Sequence, residues 1–138
     1  MKIATYIIRF LLAILFLHAG IEKLFLPYDP AEFQTEVAGT NPLFFEFYDL
    51  LHRAGYLYFV GFFQFLCGAL MVFKRTYLLG SIMLVPLIMC LFMTHVFFSQ
   101  NWLYIVFDSV TFCVILFLIA QHAKALKATI LKPQDGWI

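Results

Sequence analysis

Residues 61–84 have the sequence GFFQFLCGALMVFKRTYLLGSIML, two apolar runs that are joined by the basic pair Lys74–Arg75. A helix needs about 20 largely apolar residues to cross a lipid bilayer, and both runs reach that length when their flanks are included. Four such runs occur along the chain, at about 4–25, 54–73, 76–98 and 102–121. The sequence therefore predicts an all-α membrane protein in which four transmembrane helices form a bundle.

The composition agrees with a protein that is surrounded by lipid. Of the 138 residues, 64% are hydrophobic and only 12% are charged, about half of the roughly 25% that is usual in soluble domains. The length suits a single domain over residues 1–138, and the net charge of +1 gives no basic surface for a nucleic acid. The three cysteines are isolated, with no C-x-x-C spacing, so neither a thiol redox pair nor a disulfide framework is indicated.

The distribution of charge predicts how the helices are oriented. Cytoplasmic ends of membrane helices carry more Lys and Arg than the opposite ends. The opposite set of ends here has Lys23 and Arg53 against five acidic residues between positions 29 and 49. We therefore expect a multi-pass protein of the plasma membrane with both termini in the cytoplasm and residues 26–53 on the outer side. The basic residues at the predicted cytoplasmic ends are Lys2, Lys74, Arg75, Lys124, Lys127 and Lys132.

The outer segment, residues 26–53, lies between the first and second predicted spans and carries two helix-start signals. Asp29-Pro30 and Asn41-Pro42 each place an N-cap residue ahead of a first-turn proline. The second of these helices is predicted to be amphipathic, so it either lies on the membrane or caps the bundle as a lid. Its polar face carries Glu46, Asp49 and Arg53.

Polar residues fall within the apolar runs at similar depths. A charged side chain at the bilayer centre costs roughly 2.5–3.5 kcal/mol on insertion scales, so such residues usually face the interior of a bundle and have a function. The helical rise, counted from the centre of each span, predicts that the ionisable side chains lie in the outer half of the bilayer. Gln64 is predicted to lie close to the midplane of the bilayer. These ionisable residues are His18, Glu22, His95 and Asp108.

Two interpretations of this cluster remain open. In the first, His18, Glu22, Gln64, His95 and Asp108 line an outward-facing polar pocket for a quinone head group or a similar ligand, with His95 or Asp108 as the proton carrier. In the second, they form a buried network that fixes the helix register, for example through a His95–Asp108 hydrogen bond. No motif with specific spacing supports a metal site or a haem, so we expect neither, and we expect no covalently bound cofactor.

Arg9 differs from the other polar residues. It lies nine residues before His18 and therefore points to roughly the opposite side of the first helix. Lipid alone is an unfavourable environment for a guanidinium. We expect Arg9 to extend toward the cytoplasmic interface, or to pair with a group on another helix or another subunit.

Arg9 and the stretch LLAILFLHAGIEKLF (11–25) resemble the opening helix of the DoxX family, which has an early Arg followed by the pattern L-F-x-x-A-G-x-x-K. Residues 61–84 are similar to the second and third helices of that family, which are joined by a short basic turn, and the ending of the third span at Thr94-His95 is similar too. The pattern of the first helix falls on Leu15, Phe16, Ala19, Gly20 and Lys23.

The resemblance to the DoxX family implies a small four-helix subunit of the plasma membrane. Members take part in quinone-linked oxidoreductase systems, including thiosulfate oxidation, and some distant relatives act as membrane chaperones. One departure is Gln64, where the family often has an acidic residue.

Three functions are therefore considered. The leading hypothesis is a membrane subunit of a quinone-linked oxidoreductase, whose pocket holds the quinone while a partner carries the redox centres. The alternative is an accessory, assembly or chaperone-like subunit without catalysis, which binds a membrane or periplasmic protein or a second copy of itself. The third is a small proton or solute carrier, for which Pro86 offers a broken helix.

Overall fold

The computed structural model describes residues 2–36 and 39–130, and these residues form helices joined by short turns, without a β-strand among them. The helix Tyr77–Thr94 continues into a single π-helical turn, His95–Ser99. Lys132, one of the basic residues at the predicted cytoplasmic ends, lies outside the described residues. The α-helices are α1 Lys2–Phe25, α2 Pro30–Glu36, α3 Pro42–Arg53, α4 Tyr56–Val72, α5 Tyr77–Thr94, α6 Trp102–Ala120 and α7 Ala123–Ile130.

Three helical stretches of the described chain are long and apolar enough to cross a membrane on their own. The prediction of an all-helical, multi-pass membrane protein is therefore confirmed. The number of spans is three, or four if α3 and α4 together make one broken span. With 17 residues, α4 is about 26 Å long at 1.5 Å per residue, slightly less than the roughly 30 Å of a hydrocarbon core. The three long stretches are Ile3–Phe25, Tyr77–Ser99 and Trp102–Ala120.

The chain bends by 88° between α3 and α4. The bend falls at Ala54-Gly55, where Gly55 has φ +75°, a left-handed conformation that suits glycine. The predicted second span, 54–73, therefore contains this turn at its start, and the helix itself begins at Tyr56. As a result, α3 lies across the end of the bundle while α4 runs along it.

Helices α1 and α4 pack closely because glycines remove side chains from their contact. A Cβ added at Gly20 would lie 2.6 Å from the backbone nitrogen of Phe65, and one added at Gly68 would lie 2.8 Å from the backbone nitrogen of Leu17. Gly61 faces α1 in the same way, with Lys23 Cβ 2.8 Å from the position of its missing Cβ. Small residues such as Gly61 and Gly68 allow a neighbouring helix to approach closely, and α1 is the helix that does so.

The buried core is shared by the four long helices, whereas their outer surfaces are apolar and exposed. Exposed side chains such as Ile14, Phe62 and Val110 belong to surfaces that lipid or a partner would cover. The core gains its stability from close packing of small and branched side chains rather than from polar contacts. Its buried members are Leu12, Ala13, Phe16, Cys67, Met71, Leu84, Ile88, Ile115 and Leu118.

The outer segment covers one end of the bundle and is hydrogen-bonded to the turn before α6. The Asn41 side chain accepts a hydrogen bond from Leu43 N (2.9 Å), as its predicted N-cap role requires, and Asp29 Oδ1 caps α2 through Ala31 N (2.8 Å). The backbone nitrogen of Asn41 also donates to Ser99 O (2.9 Å). Of the two predicted arrangements for this segment, the structure has the one in which it covers the helix ends.

Candidate functional site

A cavity of about 750 Å³ extends from beneath α3 into the bundle between α4, α5 and α6. Its walls are mainly apolar, and its polar side chains come from α1, α3, α4, α5, α6 and the π-helical turn. Among the described residues it is the larger of the two main cavities. The polar and aromatic side chains that line it include Glu22, Lys23, Phe44, Tyr48, Gln64, His95, Tyr104 and Asp108.

His95 and Asp108 are joined directly at one wall of this cavity. The distance from His95 Nδ1 to Asp108 Oδ2 is 2.6 Å. Asp108 is held two turns into α6 and is 4% exposed, while His95 begins the π-helical turn that ends α5. Such turns are frequent at functional sites because they change the direction in which a side chain points. The sequence-based expectation of a His95–Asp108 contact agrees with this geometry.

Aromatic rings fix the orientation of the His95 imidazole. The ring of Tyr104 is stacked on it at 5.2 Å between centroids, and the ring of Phe44 lies 5.7 Å away. Because Nδ1 is bonded to Asp108, the remaining ring nitrogen, Nε2, is the one available to another group. Nε2 makes no hydrogen bond to the described residues, and His95 lines the cavity.

Gln64 places an unsatisfied amide oxygen at the cavity wall. The residue is 3% exposed, and its Oε1 is buried without a hydrogen-bond partner among the described residues. Leaving a buried polar group unpaired costs about 1–3 kcal/mol, so a water or a ligand with a donor would stabilise this region. The sequence analysis placed Gln64 close to the centre of its helix, below the other polar residues, and it lies near the middle of α4.

Glu22 and Lys23 lie at the outer mouth of the cavity, on the last turn of α1. Lys23 is half-buried, and its Nζ donates to Ala19 O at 3.4 Å. Both residues also line a second cavity of about 460 Å³ that opens outward beneath α2. Tyr28 lines that second cavity; burial raises the pKa of its phenol above the ordinary value, and the Asp49 carboxylate adds to the rise.

His18 is not brought into the cluster. It is exposed, and it is absent from the residues that line either of these cavities. The face of α1 that meets α4 carries Gly20, and a residue two positions away points roughly 200° around the helix from it. Glu22 is also two positions from Gly20 and so shares this face with His18, but it lies one turn nearer the end of α1, where it lines the cavity together with side chains of α3.

Arg9 lies near the opposite end of the bundle and is also separate from the cavity. It is 5% exposed, and its guanidinium carbon lies over three rings, those of Tyr6 (4.9 Å), Phe10 (4.8 Å) and Tyr77 (5.3 Å). Its Nε has no hydrogen-bond partner in the described part of the chain. The helical geometry thus separates Arg9 from the other polar residues, as its position nine residues before His18 predicts.

Potential metal ligands do not gather within the described ranges. No group of three or more His, Cys, Asp or Glu side chains there is arranged to hold a metal ion. The cysteines are free and lie on three different helices, Cys67 on α4, Cys90 on α5 and Cys113 on α6.

The aromatic wall of the cavity was not predicted from the sequence. Phe44 and Tyr48 reach it from α3, and Tyr104 reaches it from the first turn of α6. A signal for the first two was present, because residues four apart share a helix face and this face lies opposite the charged one. What the sequence did not provide is the 88° bend that turns this face onto the bundle.

The family model for the methylamine utilisation protein MauE matches residues 1–107 of the chain. The match covers α1 to the first residues of α6, including Glu22, Gln64 and His95, and it ends one residue before Asp108. Neither the curated proteins nor the solved structures provide a match.

The predicted membership of the DoxX family is wrong, because the matching family model is that of MauE. The pattern in the first helix has a structural explanation that is independent of any one family. Gly20 is required by the close contact of α1 with α4, and the surrounding apolar residues are needed by any helix that crosses a membrane. Helix packing alone therefore accounts for this pattern, and the pattern does not identify a family.

Proposed function

Because this chain belongs to the family of the methylamine utilisation protein MauE, we propose that it is an accessory membrane subunit of an oxidoreductase system that uses methylamine or a similar amine. In this role it assists the assembly or maturation of the enzyme and takes no part in turnover. The observation that carries the proposal is the family match over residues 1–107 of the 138. The accessory role, which is the alternative hypothesis from the sequence, is thus favoured over that of a quinone-binding oxidoreductase subunit.

The exposed surface of the helices supports a role in binding other proteins. In the most apolar part of each of the three long spans, only 17% to 28% is buried inside the protein. Most of each helix therefore contacts lipid or a partner, and a second copy of the chain is one such partner. On the outer side, α3 presents charged side chains beside the membrane, among them Glu46, Asp49 and Arg53.

The proposed topology has four spans and places both termini in the cytoplasm of the cell, with the protein in the plasma membrane. In this topology α4 is the second span and the outer segment lies on the far side, where it can meet a periplasmic protein. The support comes from charge: Lys74 and Arg75 lie between α4 and α5, and Lys124 and Lys127 lie on α7, all at the same end of the bundle.

A second candidate function is ligand binding in the 750 Å³ cavity. Pockets for small molecules usually measure about 300–1,000 Å³ and combine apolar walls with a few polar groups. The observation that favours it is the buried Gln64 Oε1, which has no hydrogen-bond partner among the described residues and lies at the wall of a mainly apolar cavity that His95 also lines. A quinone or another membrane-soluble molecule with a polar head group would fit these walls, with Asp108 holding the imidazole in place.

A deletion experiment tests the accessory role in the source organism. Cells that lack this chain should grow poorly on methylamine and contain little active methylamine-oxidising enzyme, and growth on ammonium should be unchanged. Expression of the chain from a plasmid should restore both growth and enzyme activity. Normal growth and normal enzyme activity in the deleted cells would contradict the proposal.

A further inference from the structure

The buried Arg9 guanidinium has no anionic partner among the described residues. The structure gives Arg9 no ion pair with any described acidic residue, and its Nε is buried without an acceptor. A guanidinium carries five N–H donors and stays charged at any accessible pH. An uncompensated buried charge of this kind is strongly destabilising, so a partner from outside the described chain is needed.

The described acidic residues are all at the wrong end of the bundle to serve as that partner. The first, Glu22, is 13 residues after Arg9, and the others lie in the outer segment or in the outer half of α6 at Asp108. Thirteen residues of helix correspond to about 20 Å. Asp135 is the remaining carboxylate in the sequence and lies outside the described residues.

The aromatic contacts of Arg9 orient the guanidinium without satisfying its hydrogen bonds. The rings of Tyr6, Phe10 and Tyr77 each attract the guanidinium through their π faces. These contacts offset part of the cost of burial, but an aromatic ring is a poor acceptor for an N–H group. The planar N–H fork of arginine matches a phosphate or a carboxylate with two parallel hydrogen bonds.

Arg9 lies near the end of the bundle where polar side chains of several helices form hydrogen bonds with one another. It contacts Tyr77, the first residue of α5, whose hydroxyl is hydrogen-bonded to His122 Nε2 between α6 and α7. One turn before Arg9, Thr5 Oγ1 donates to Gln121 Oε1 at 3.0 Å. Because side chains tilt toward the N-terminus of their helix, the Arg9 head group extends toward this polar level.

The groups around this end are basic. Lys74 and Arg75 immediately precede the α5 N-terminus that contacts Arg9, and Lys124 and Lys127 lie on α7. All four side chains are exposed. A positive rim at a membrane surface attracts anionic lipid head groups to that surface, without orienting any one of them.

We propose that Arg9 binds the phosphate of an anionic phospholipid from the membrane leaflet at this basic end, with Tyr6, Phe10 and Tyr77 holding the guanidinium in position. The lipid tails then cover the exposed apolar face of α1, which includes Ile3 and Ile7. The proposal does not depend on the accessory role or on the cavity at the other end. A free phosphate ion would use the same donors, so the test must separate these two sources.

Native mass spectrometry of the full chain in mild detergent tests the proposal. The probes are phosphatidylglycerol and a diacylglycerol with the same acyl chains, which lacks the phosphate. The wild-type chain should retain phosphatidylglycerol about tenfold more strongly than diacylglycerol, as expected for the loss of one charge-assisted contact. Arg9→Gln should remove this preference. Arg9→Lys, which keeps the charge but lacks the planar pair of N–H donors, should retain part of it.

Two matched variants serve as controls. Lys124→Gln removes an exposed charge from the same end and should leave most of the preference intact. Asp135→Asn removes the carboxylate that lies outside the described residues and should also leave it intact. If Arg9→Gln does not fold, the wild-type comparison and Arg9→Lys still decide the question.

Several results would overturn the proposal. One is equal retention of the two lipids by the wild-type chain, and another is an undiminished preference in Arg9→Gln. A phosphatidylglycerol preference that is absent in the wild-type chain and gained in Asp135→Asn would assign the partner of Arg9 to the chain itself. Displacement of phosphatidylglycerol by millimolar inorganic phosphate would assign the site to the soluble ion and overturn the lipid source.

Discussion

His95 Nδ1 and Asp108 Oδ2 are 2.6 Å apart, across the turn that joins α5 to α6. This bond connects the π-helical turn at the end of one helix to a buried carboxylate in the next. It serves both interpretations of the polar cluster, because it fixes the register of two helices and also orients His95 Nε2. The accessory role requires only the first of these effects, whereas a ligand pocket requires both.

Removing the Asp108 carboxylate should destabilise the protein. In Asp108→Ala the imidazole loses its partner in a buried setting, and breaking such a pair costs about 3–5 kcal/mol. Asp108→Asn keeps the shape and a hydrogen bond, so the loss should be smaller, about 1 kcal/mol. Thermal unfolding in detergent measures both values. An Asp108→Ala chain as stable as the wild type would show that the bond does not hold the helices together.

The activity of these Asp108 variants separates the two functions. In the accessory role, methylamine-supported growth should follow the amount of folded protein in the membrane and should be nearly normal for Asp108→Asn. If Asp108→Asn is present at the wild-type level but growth is lost, the carboxylate has a chemical role and the second candidate function is favoured.

Gln64→Leu should increase the stability of the protein and weaken the binding of any ligand in the cavity. The unsatisfied Oε1 is removed, and the leucine side chain fills similar space, so the free energy of unfolding should rise by up to about 1–3 kcal/mol. The comparison variant is Gln64→Glu, which keeps the polar group and should not give this gain. If Gln64→Leu is instead less stable by a similar amount, Gln64 is satisfied in the membrane by a bound molecule, and extraction of the lipid fraction should identify it.

Gly20→Ala should weaken the packing of α1 on α4. The added Cβ would lie 2.6 Å from the backbone of Phe65, and overpacking of this kind costs about 1–3 kcal/mol. Ile14→Ala is the control, because Ile14 is exposed on the same helix and should change the stability little. Both variants can be compared by thermal unfolding in detergent, and equal melting temperatures would contradict the close contact.

Asn41→Ala should loosen the outer segment without unfolding the bundle. It removes the N-cap of α3 and the hydrogen bond from Asn41 Nδ2 to Gln100 Oε1 (3.2 Å), and loss of a cap costs about 1 kcal/mol. Hydrogen exchange should therefore speed up in α3 while α4 and α5 remain protected. Asp29→Ala, which uncaps α2, should leave exchange in α3 unchanged. Protection of α3 equal to wild type in Asn41→Ala would contradict this account.

Local features of the fold were predictable from the sequence because neighbouring residues determine them. The N-caps Asp29 and Asn41 and the long apolar runs belong to this class, and so do the glycines that allow α1 and α4 to approach. The 88° bend after Arg53 and the helix α7 were not predicted. The bend depends on how α3 packs against the π-helical turn, a contact between distant parts of the chain.

The site was predictable only in part, for a related reason. The depth of a residue follows from its position along a helix, so the proximity of His95 and Asp108 could be anticipated. The direction of a side chain depends on which neighbour its helix packs against, and this excluded His18 from the cavity. The family assignment failed because the pattern around Gly20 reflects helix packing, which many membrane bundles share.

The accessory role is tested most directly by the turnover of the methylamine-oxidising enzyme after this chain has been removed from it. The enzyme is matured in wild-type cells and then purified until the chain is undetectable. If the role is accessory, we expect full turnover with methylamine and an artificial electron acceptor, with no increase when the purified chain is added back. Turnover that disappears with the chain and returns on its addition would contradict the account and make this protein a catalytic subunit.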